Sequence, residues 1–371
     1  MQTKRARDLG IPFEGKPGKF NAITDVPGVE VGFSTVIEES KTGKPEVGKG
    51  PVRTGVTAVL PRGKGRSFED FVFAGWFSLN GYGEMTGTLA IDETGFMQGP
   101  FLITNTCSVG VVRDAVDEWA ASHGFSMHLS TVAETSDIKL NDMEGFHVRK
   151  EHAFAAIEAA SSGYVAEGNI GGGTGMICYG FKGGTGTSSR IVKIDDREYV
   201  LGVLAQTNHG ESHQLIVAGM PVGLELPGNL GFSRGIRPYS ERGKSSIIIV
   251  IATDAPMMPH QLKRIARRAS LGLAKTGAIS SNGSGDIFLA FSTGNSGAAL
   301  WPKEYNVTIL PNSEMDYLFE ATVEATEEAI INSLIAARTM TGFSGTVNAL
   351  PHDLLLEILR KHNRLANVPG S

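Results

Sequence analysis

The segment ERGKSSIIIVIATDAP, residues 241–256, joins a charged turn directly to an apolar strand. Residues 247–250 are four consecutive β-branched residues, which is typical of a β-strand. Two adjacent hydroxyl groups, those of Ser245 and Ser246, precede this run where a turn residue such as Gly or Asn is usual. The serines could end a phosphate-binding loop, supply a nucleophile, or have no special role.

The phosphate-loop interpretation fails on spacing. Gly243, Lys244 and Ser245 match the last three positions of such a loop, but Pro238 stands where the motif requires a glycine. The motif also needs a helix after the serine, because helix N-terminal amides bind the phosphate, and here a strand follows. The glycine-rich stretches 81–87 and 171–180 lack dinucleotide-binding spacing, so their glycines are expected to mark backbone crowded around a pocket.

Composition and charge exclude several classes of protein. The chain has 371 residues, 41% hydrophobic and 20% charged, with a net charge of −5, so no basic field favours nucleic acid or an anionic membrane. No segment has the length of a membrane span, and the N-terminus lacks the apolar region of a signal peptide, so we expect a cytoplasmic protein. Two isolated cysteines, Cys107 and Cys178, make neither a disulfide framework nor a metal motif, and both are expected to be buried.

The order of strands and helices predicts a layered α/β sandwich rather than a doubly wound sheet. A helix within 99–124 carries Val112, Ala115, Val116 and Trp119 on one face, and residues 73–95 and 209–245 are expected to be loops. Further helices are expected at 151–163, 259–277, 313–340 (capped by Asn312 or Ser313) and 351–363, and strands within 22–37, 52–61, 168–194, 197–208, 247–252 and 286–293.

A second polar cluster precedes another apolar strand. Ser284 and Asp286 are two residues apart, so an extended chain points both side chains to one face, although a polar turn would explain the same pattern. Asn208 closes the strand 197–208, where its amide could donate to an oxyanion or simply form a turn.

Seven long segments, in one order along nearly the whole chain, resemble the L-aminopeptidase/D-esterase and β-aminopeptidase family, often called DmpA-like. They are RARDLGIPFEGKPGKFNAITDVPGVEVG (5–32), VRTGVTAVLPRG (52–63), FAGWFSLNGYGEMTG (73–87), ITNTCSVGVVRDA (103–115), GNIGGGTGMICYGFKGGTGTSSR (168–190), SSIIIVIATDAPMMPHQLKRIARR (245–268) and SNGSGDIFLAFSTGN (281–295).

The resemblance implies a four-layer αββα sandwich similar to N-terminal-nucleophile hydrolases, formed by one domain over residues 1–371. Family members are made as precursors that cleave themselves before a serine that opens a strand. On this chain the cut falls between Ser245 and Ser246, giving an α chain of residues 1–245 and a β chain of residues 246–371. No metal or organic cofactor is implied, and the active form is expected to be a homo-oligomer of about four αβ units.

The resemblance also assigns roles. Ser246 would be the nucleophile, with Ser284 relaying its proton to Asp286. The freed α-amino group of Ser246 is a competing base. Asn208 would donate to the oxyanion, and Glu134 would hold the free amine of the substrate.

Two positions depart from the family pattern. Ser136 replaces the usual aromatic residue, commonly Tyr, so the acyl pocket is expected to be wider or to hold water. Ser245 replaces the usual Gly or Asn before the cut. Cleavage one bond earlier, at Lys244–Ser245, would move the nucleophile to the other face of the sheet.

These assignments predict a serine aminopeptidase that releases N-terminal residues from short peptides, amides or esters through an acyl-enzyme. One alternative is an acyltransferase of the ornithine-acetyltransferase type, which normally uses threonine, so a serine favours hydrolysis. The other is an unprocessed, non-catalytic relative that binds small ligands. The sequence does not decide among α-, β- and D-amino acid substrates.

Overall fold

The computed structural model describes residues 4–126, 128–227, 230, 245–300 and 304–366. Pro238, Gly243 and Lys244, used above in the phosphate-loop comparison, lie outside the described residues. Ser245 and Ser246 lie within them, at the start of a strand.

The strands form two main sheets and two small hairpins. The strands are β1 (Glu30–Glu38), β2 (Val52–Leu60), β3 (Val72–Gly81), β4 (Phe96–Met97), β5 (Phe101–Thr104), β6 (Thr131–Glu134), β7 (Ile177–Cys178), β8 (Phe181–Lys182), β9 (Gly184–Ile194), β10 (Arg197–Asn208), β11 (Ser245–Thr253), β12 (Ser284–Ser292), β13 (Met340–Gly342) and β14 (Gly345–Val347). One sheet has the order β1-β2-β5-β6, and the other has the order β4-β3-β12-β11-β10-β9.

Helices cover the outer faces of both sheets. The α-helices of the described residues are α1 (Gly63–Arg66), α2 (Thr88–Thr94), α3 (Val109–Ser122), α4 (Lys150–Glu158), α5 (Val222–Glu225), α6 (Pro259–Lys275), α7 (Met315–Ala336) and α8 (His352–Lys361). Among these described helices, none is long and apolar enough to cross a bilayer.

Three apolar clusters hold the layers together. Ile248 and Val250 of β11 pack between the sheets with Val59 and Phe101 of the four-stranded sheet. The other face of the six-stranded sheet packs on α6 and α7, while α3 and α4 cover the four-stranded sheet. The layers are therefore αββα, as expected. Because β11 is covered on both faces, every residue of it is buried, which explains its continuous apolar run.

The expected face of α3 is confirmed, since Val112, Ala115, Val116 and Trp119 are all buried. The loop expected over residues 73–95 is wrong, because most of it forms β3 and α2. In β3 only Val72–Gly75 are buried, so the rest lacks the apolar periodicity that marks a strand.

Three smaller expectations also need correction. A 3-10 turn, Asn312–Glu314, precedes α7, and neither Asn312 nor Ser313 caps it. Helix α7 ends at Ala336 rather than near 340. Cys178 is buried as expected, but Cys107 is only half-buried.

Candidate active site

Three neighbouring strands bring Ser246, Ser284, Asp286 and Asn208 together at one end of the six-stranded sheet, where these strands begin or finish. Strands β11 and β12 are parallel and both begin there, while the antiparallel strand β10 ends there. In this register Ser246 lies opposite both Asn208 and Gly285, and Ser245 lies opposite Ser284. The residues of β11 that follow these serines belong to the apolar clusters on the two faces of the sheet.

The two serines of β11 point to opposite faces of the sheet. Ser246 is in phase with Ile248 and Val250, which pack between the two sheets. Ser245 is in phase with Ile247 and Ile249, which pack against the helical layer. Only Ser246 therefore shares the inter-sheet face with Asn208.

Ser246 is buried, and its hydroxyl lies beside the bond that precedes it. Its Oγ donates to the carbonyl oxygen of Ser245 at 2.7 Å. The backbone N–H of Gly285 donates to the same Oγ at 3.4 Å. The hydroxyl is thus held against the carbonyl group of the Ser245–Ser246 peptide bond.

Ser284 and Asp286 are in direct contact, with Ser284 Oγ donating to Asp286 Oδ1 at 2.6 Å. Burial raises the pKa of Asp286, and hydrogen bonds from Ser284, Ser280 and the Ile247 N–H offset part of the rise. The second partner of Ser284 is Ser245, with 3.2 Å between the two Oγ atoms. The structure thus places Ser284 beside Ser245, on the face opposite to the Ser246 side chain.

Asn208 is buried, and both ends of its amide are fixed. Its Oδ1 accepts from the backbone N–H of Ile177 at 2.9 Å, and its Nδ2 donates to the carbonyl of Ser136 at 2.9 Å. The first bond comes from the β7–β8 hairpin and the second from the loop after β6. One amide hydrogen remains for a substrate oxygen, because an Asn amide carries two.

Glu134 ends β6 and is almost completely buried. Its carboxylate accepts a hydrogen bond from Thr106 Oγ1 and another from the backbone N–H of Glu84 at 3.2 Å. Burial raises the pKa of Glu134, the nearby Glu84 carboxylate raises it further, and the two hydrogen bonds oppose the rise. No ion pair found between described residues includes Glu134, so a substrate ammonium would supply the missing positive charge.

Gly83, in the loop after β3, packs between the Glu134 carboxylate and strand β12. A Cβ at Gly83 would lie 3.1 Å from Glu134 Oε1 and 3.1 Å from the Cα of Gly285, which pairs with Ser246. A side chain at this position would require both neighbours to move by a few tenths of an ångström. The close approach places Glu134 next to the strand edge that carries Ser246.

Ser136 is half-buried, and its Oγ lies 3.9 Å from the sulfur of Met143. Its main contribution to the site is its backbone carbonyl, which orients Asn208.

Sequence reasoning missed Thr106, Gly83 and the N–H of Ile177. The glycine-rich segment around residue 172 was the available signal for the last of these. A Cβ at Gly172 would overlap the Gln206 side chain and lie 2.8 Å from the carbonyl oxygen of Ile103, so this loop packs directly on β5 and β10. The expected crowding of glycine backbone is confirmed.

The sequence model of peptidase family S58 matches residues 21–348 of this chain. The chain belongs to peptidase family S58. It is 55% identical to a β-peptidyl aminopeptidase, BapA, of Sphingosinicella microcystinivorans, over 98% of this chain and 93% of that protein.

Comparison with solved structures agrees. The L-aminopeptidase D-Ala-esterase/amidase of Ochrobactrum anthropi superposes with a TM-score of 0.88 at 45% identity, covering 98% of this chain and 99% of that one. It is described as a prototype for the serine aminopeptidases and a variant of the Ntn hydrolase fold. A β-aminopeptidase of a Burkholderia species gives a TM-score of 0.87 at 43% identity, covering 96% and 99%.

These similarities confirm the resemblance and the fold predicted from the sequence. This S58 member is a serine aminopeptidase, a hydrolase of the class predicted.

Proposed function

We propose that this serine aminopeptidase is made as a precursor that cleaves itself between Ser245 and Ser246. The observation that carries the proposal is the hydrogen bond of 2.7 Å from Ser246 Oγ to the Ser245 carbonyl oxygen. The hydroxyl needs no partner from elsewhere in the fold to reach the bond that it would cut.

The cleavage is an N-to-O acyl shift followed by hydrolysis. Ser246 Oγ attacks the carbonyl carbon of Ser245, the C–N bond breaks, and the hydroxyl proton ends on the amide nitrogen, which becomes a free amine. Water then hydrolyses the ester, leaving a carboxylate on Ser245 and a free hydroxyl and α-amino group on Ser246.

The mature site would use Ser246 Oγ again, now against the carbonyl of a substrate. The freed α-amino group of Ser246 takes the hydroxyl proton and returns it to the leaving amine or alcohol, since such a group has a pKa of about 8, suited to a base near neutrality. Water then releases the acyl group. No histidine is required in this scheme.

Ser284 and Asp286 would orient that α-amino group. Cleavage would release Ser245, the present partner of Ser284. The freed nitrogen of Ser246 was bonded to the carbonyl carbon of Ser245, so it would lie close to the position that Ser245 leaves. The Ser284 hydroxyl, already held by Asp286, then faces the amine rather than the Ser246 hydroxyl. The Ser284–Asp286 pair would therefore act on the α-amino group, which is the base, and not on the Ser246 hydroxyl. This role is compatible with the position of the pair on the face of the sheet opposite to the Ser246 side chain.

Asn208 would stabilise the oxyanion, and Glu134 would pair with the substrate's N-terminal ammonium. We propose substrates that are short peptides, amides or esters with an unblocked N-terminus, including those that begin with a β-amino acid. The 55% identity with a β-peptidyl aminopeptidase supports the last point. Residues 1–371 would act as one domain, in a homo-oligomer of about four cut units.

The first experiment is the fate of the purified chain on a denaturing gel and in a mass spectrometer. We expect two chains, the smaller beginning at Ser246. Ser246→Ala should stay uncut and should not hydrolyse β-alanine p-nitroanilide, because the attacking oxygen is gone. Ser245→Ala is the matched control and should still be cut, since its side chain lies on the other face of the sheet. A cut Ser246→Ala chain and an uncut Ser245→Ala chain would transfer the nucleophile to Ser245.

A further inference from the structure

Lys182, on β8, is fully buried in the hairpin beside Asn208. Its Nζ donates to three backbone carbonyls, those of Met176 at 2.9 Å, Gly183 at 2.8 Å and Gly173 at 3.4 Å. Three acceptors match the three N–H groups of an ammonium. No carboxylate pairs with Lys182 among the ion pairs of the described residues. A buried lysine held only by carbonyls is costly, which calls for a reason in the site nearby.

The Met176–Ile177 peptide links this lysine to the candidate oxyanion donor. Its carbonyl accepts from Lys182 Nζ, and its N–H donates to Asn208 Oδ1 at 2.9 Å. Asn208 in turn donates through Nδ2. One continuous series of hydrogen bonds thus runs from the ammonium through a peptide unit to the side-chain amide of Asn208, whose second N–H is the one proposed above for the substrate oxygen.

We propose that Lys182 is a positioning residue for the reaction, whose positive charge strengthens the Asn208 amide as an oxyanion donor through the Met176–Ile177 peptide. Charge at one end of a hydrogen-bonded series polarises every amide in it, so that each N–H becomes a stronger donor. In a buried site this polarisation is little screened by water.

A purely structural role for the ammonium is the competing explanation, and the hairpin has other supports. The backbone N–H of Lys182 donates to Asn348 O at 2.8 Å, and that of Gly183 donates to Met176 O at 2.9 Å. Ile177 also pairs with Lys182 in the β7–β8 ladder. None of these bonds uses the side chain, so they persist in a variant without the charge.

Burial lowers the pKa of Lys182 to about 7 and raises the pKa of the neighbouring Cys178 thiol to about 12. His209, 3.9 Å from that thiol, is itself buried, and burial lowers its pKa to about 3. The groups beside Lys182 are therefore neutral near pH 7, which leaves the ammonium as the local charge when it is protonated.

The inference rests on the proposed role of Asn208, and the experiment separates the two. Lys182→Met removes the charge, and Lys182→Gln keeps two N–H donors for the carbonyls if the methionine variant folds poorly. Rates with β-alanine p-nitroanilide at pH 6.5 are divided by the amount of free 246–371 chain measured by mass spectrometry. We expect kcat to fall about tenfold, with KM changed less than about twofold. The control Lys193→Met, an exposed lysine on β9, should match the unaltered enzyme.

A double variant identifies the route of the effect. In an Asn208→Ala background Lys182→Met should lower kcat by less than about twofold, because the amide that it polarises is absent. A full tenfold loss in that background, or an unchanged kcat in Lys182→Met and Lys182→Gln, overturns the inference alone. An Asn208→Ala enzyme with normal kcat overturns the proposed role of Asn208, and the inference with it.

Discussion

At the scale of single residues, the site combines the buried hydroxyl of Ser246 with two buried carboxylates. Burial raises the pKa values of both Glu134 and Asp286, but their surroundings differ. Asp286 accepts from a serine hydroxyl that is fixed in the fold. Glu134 lies beside the Gly83 loop, and under the proposed function it would bind the ammonium of a substrate. Under the proposed function, one chemical group, a buried carboxylate, would therefore serve once for orientation and once for recognition.

Glu134→Gln should raise KM for substrates with a free amine by roughly 30-fold, which corresponds to about 2 kcal/mol for a buried charge pair that loses one partner. An N-acetylated ester is the matched control substrate, because it carries no ammonium, and its KM should change little. Equal losses for both substrates would contradict recognition of the amine by Glu134.

The pH dependence of KM gives a further check at this residue. Only the carboxylate form of Glu134 attracts an ammonium, and its pKa is raised above 4.5. As pH falls through that raised pKa, KM for a free-amine substrate should rise, while at higher pH it should level off. The acid limb should vanish from KM in Glu134→Gln, whereas any limb due to Asp286 should remain in kcat. A limb in KM that survives in Glu134→Gln would assign it to another group.

At the scale of elements, the glycine-rich loop before β7 packs closely on its neighbours because several of its residues have no side chain. It lies against β5 and β10, so that the N–H of Ile177 reaches Asn208. Its glycines are needed at some positions for space rather than for unusual backbone angles. Gly172, which has no positive φ, is such a position.

Gly172→Ala should therefore destabilise the protein by about 1–3 kcal/mol, because the added methyl overlaps Gln206 and the backbone of Ile103. The matched control is Gly110→Ala in α3, where a Cβ meets nothing within 4 Å. That variant should be stabilised by up to about 1 kcal/mol through helix propensity and loss of unfolded-state freedom. Thermal melting of the two variants checks both signs, and a stabilised Gly172→Ala would show that the loop is not tightly packed.

At the scale of the whole molecule, the proposed cut leaves the two products interleaved. Strands β11 and β12 would belong to the 246–371 chain, yet they lie between β3 and β10 of the 1–245 chain. Helices α6 and α7 of the same product cover that sheet. The parts share one core, which is consistent with one domain.

Gel filtration of the cut protein should therefore show both chains in one peak, at about four times the mass of 39.4 kDa if four units associate. Mild urea, below the unfolding transition, should not release either chain. The uncut Ser246→Ala variant provides the reference elution volume. Separate elution of the two chains would contradict the shared sheet, and a peak at the mass of one unit would contradict the tetramer.

Much of this could be predicted from local pattern. The buried face of α3, a strand after Ser246 and the shared face of Ser284 and Asp286 were predicted from periodicity. Which serine faces Ser284 could not be predicted, because it depends on the register of two strands 39 residues apart. The carbonyls around Lys182 also carried no sequence signal, since backbone groups are the same in every residue.

The interleaved sheet has a consequence for the order of events in the life of the protein. An intact chain assembles its central sheet as a single molecule, with both halves tethered. Cleavage would erase that tether, so that a cut protein unfolded in denaturant would need two separate chains to meet again. Recovery of activity after dilution should then depend on protein concentration, whereas refolding of the uncut Ser246→Ala sheet should not. The native protein would then consist of two chains that folded while they were still joined.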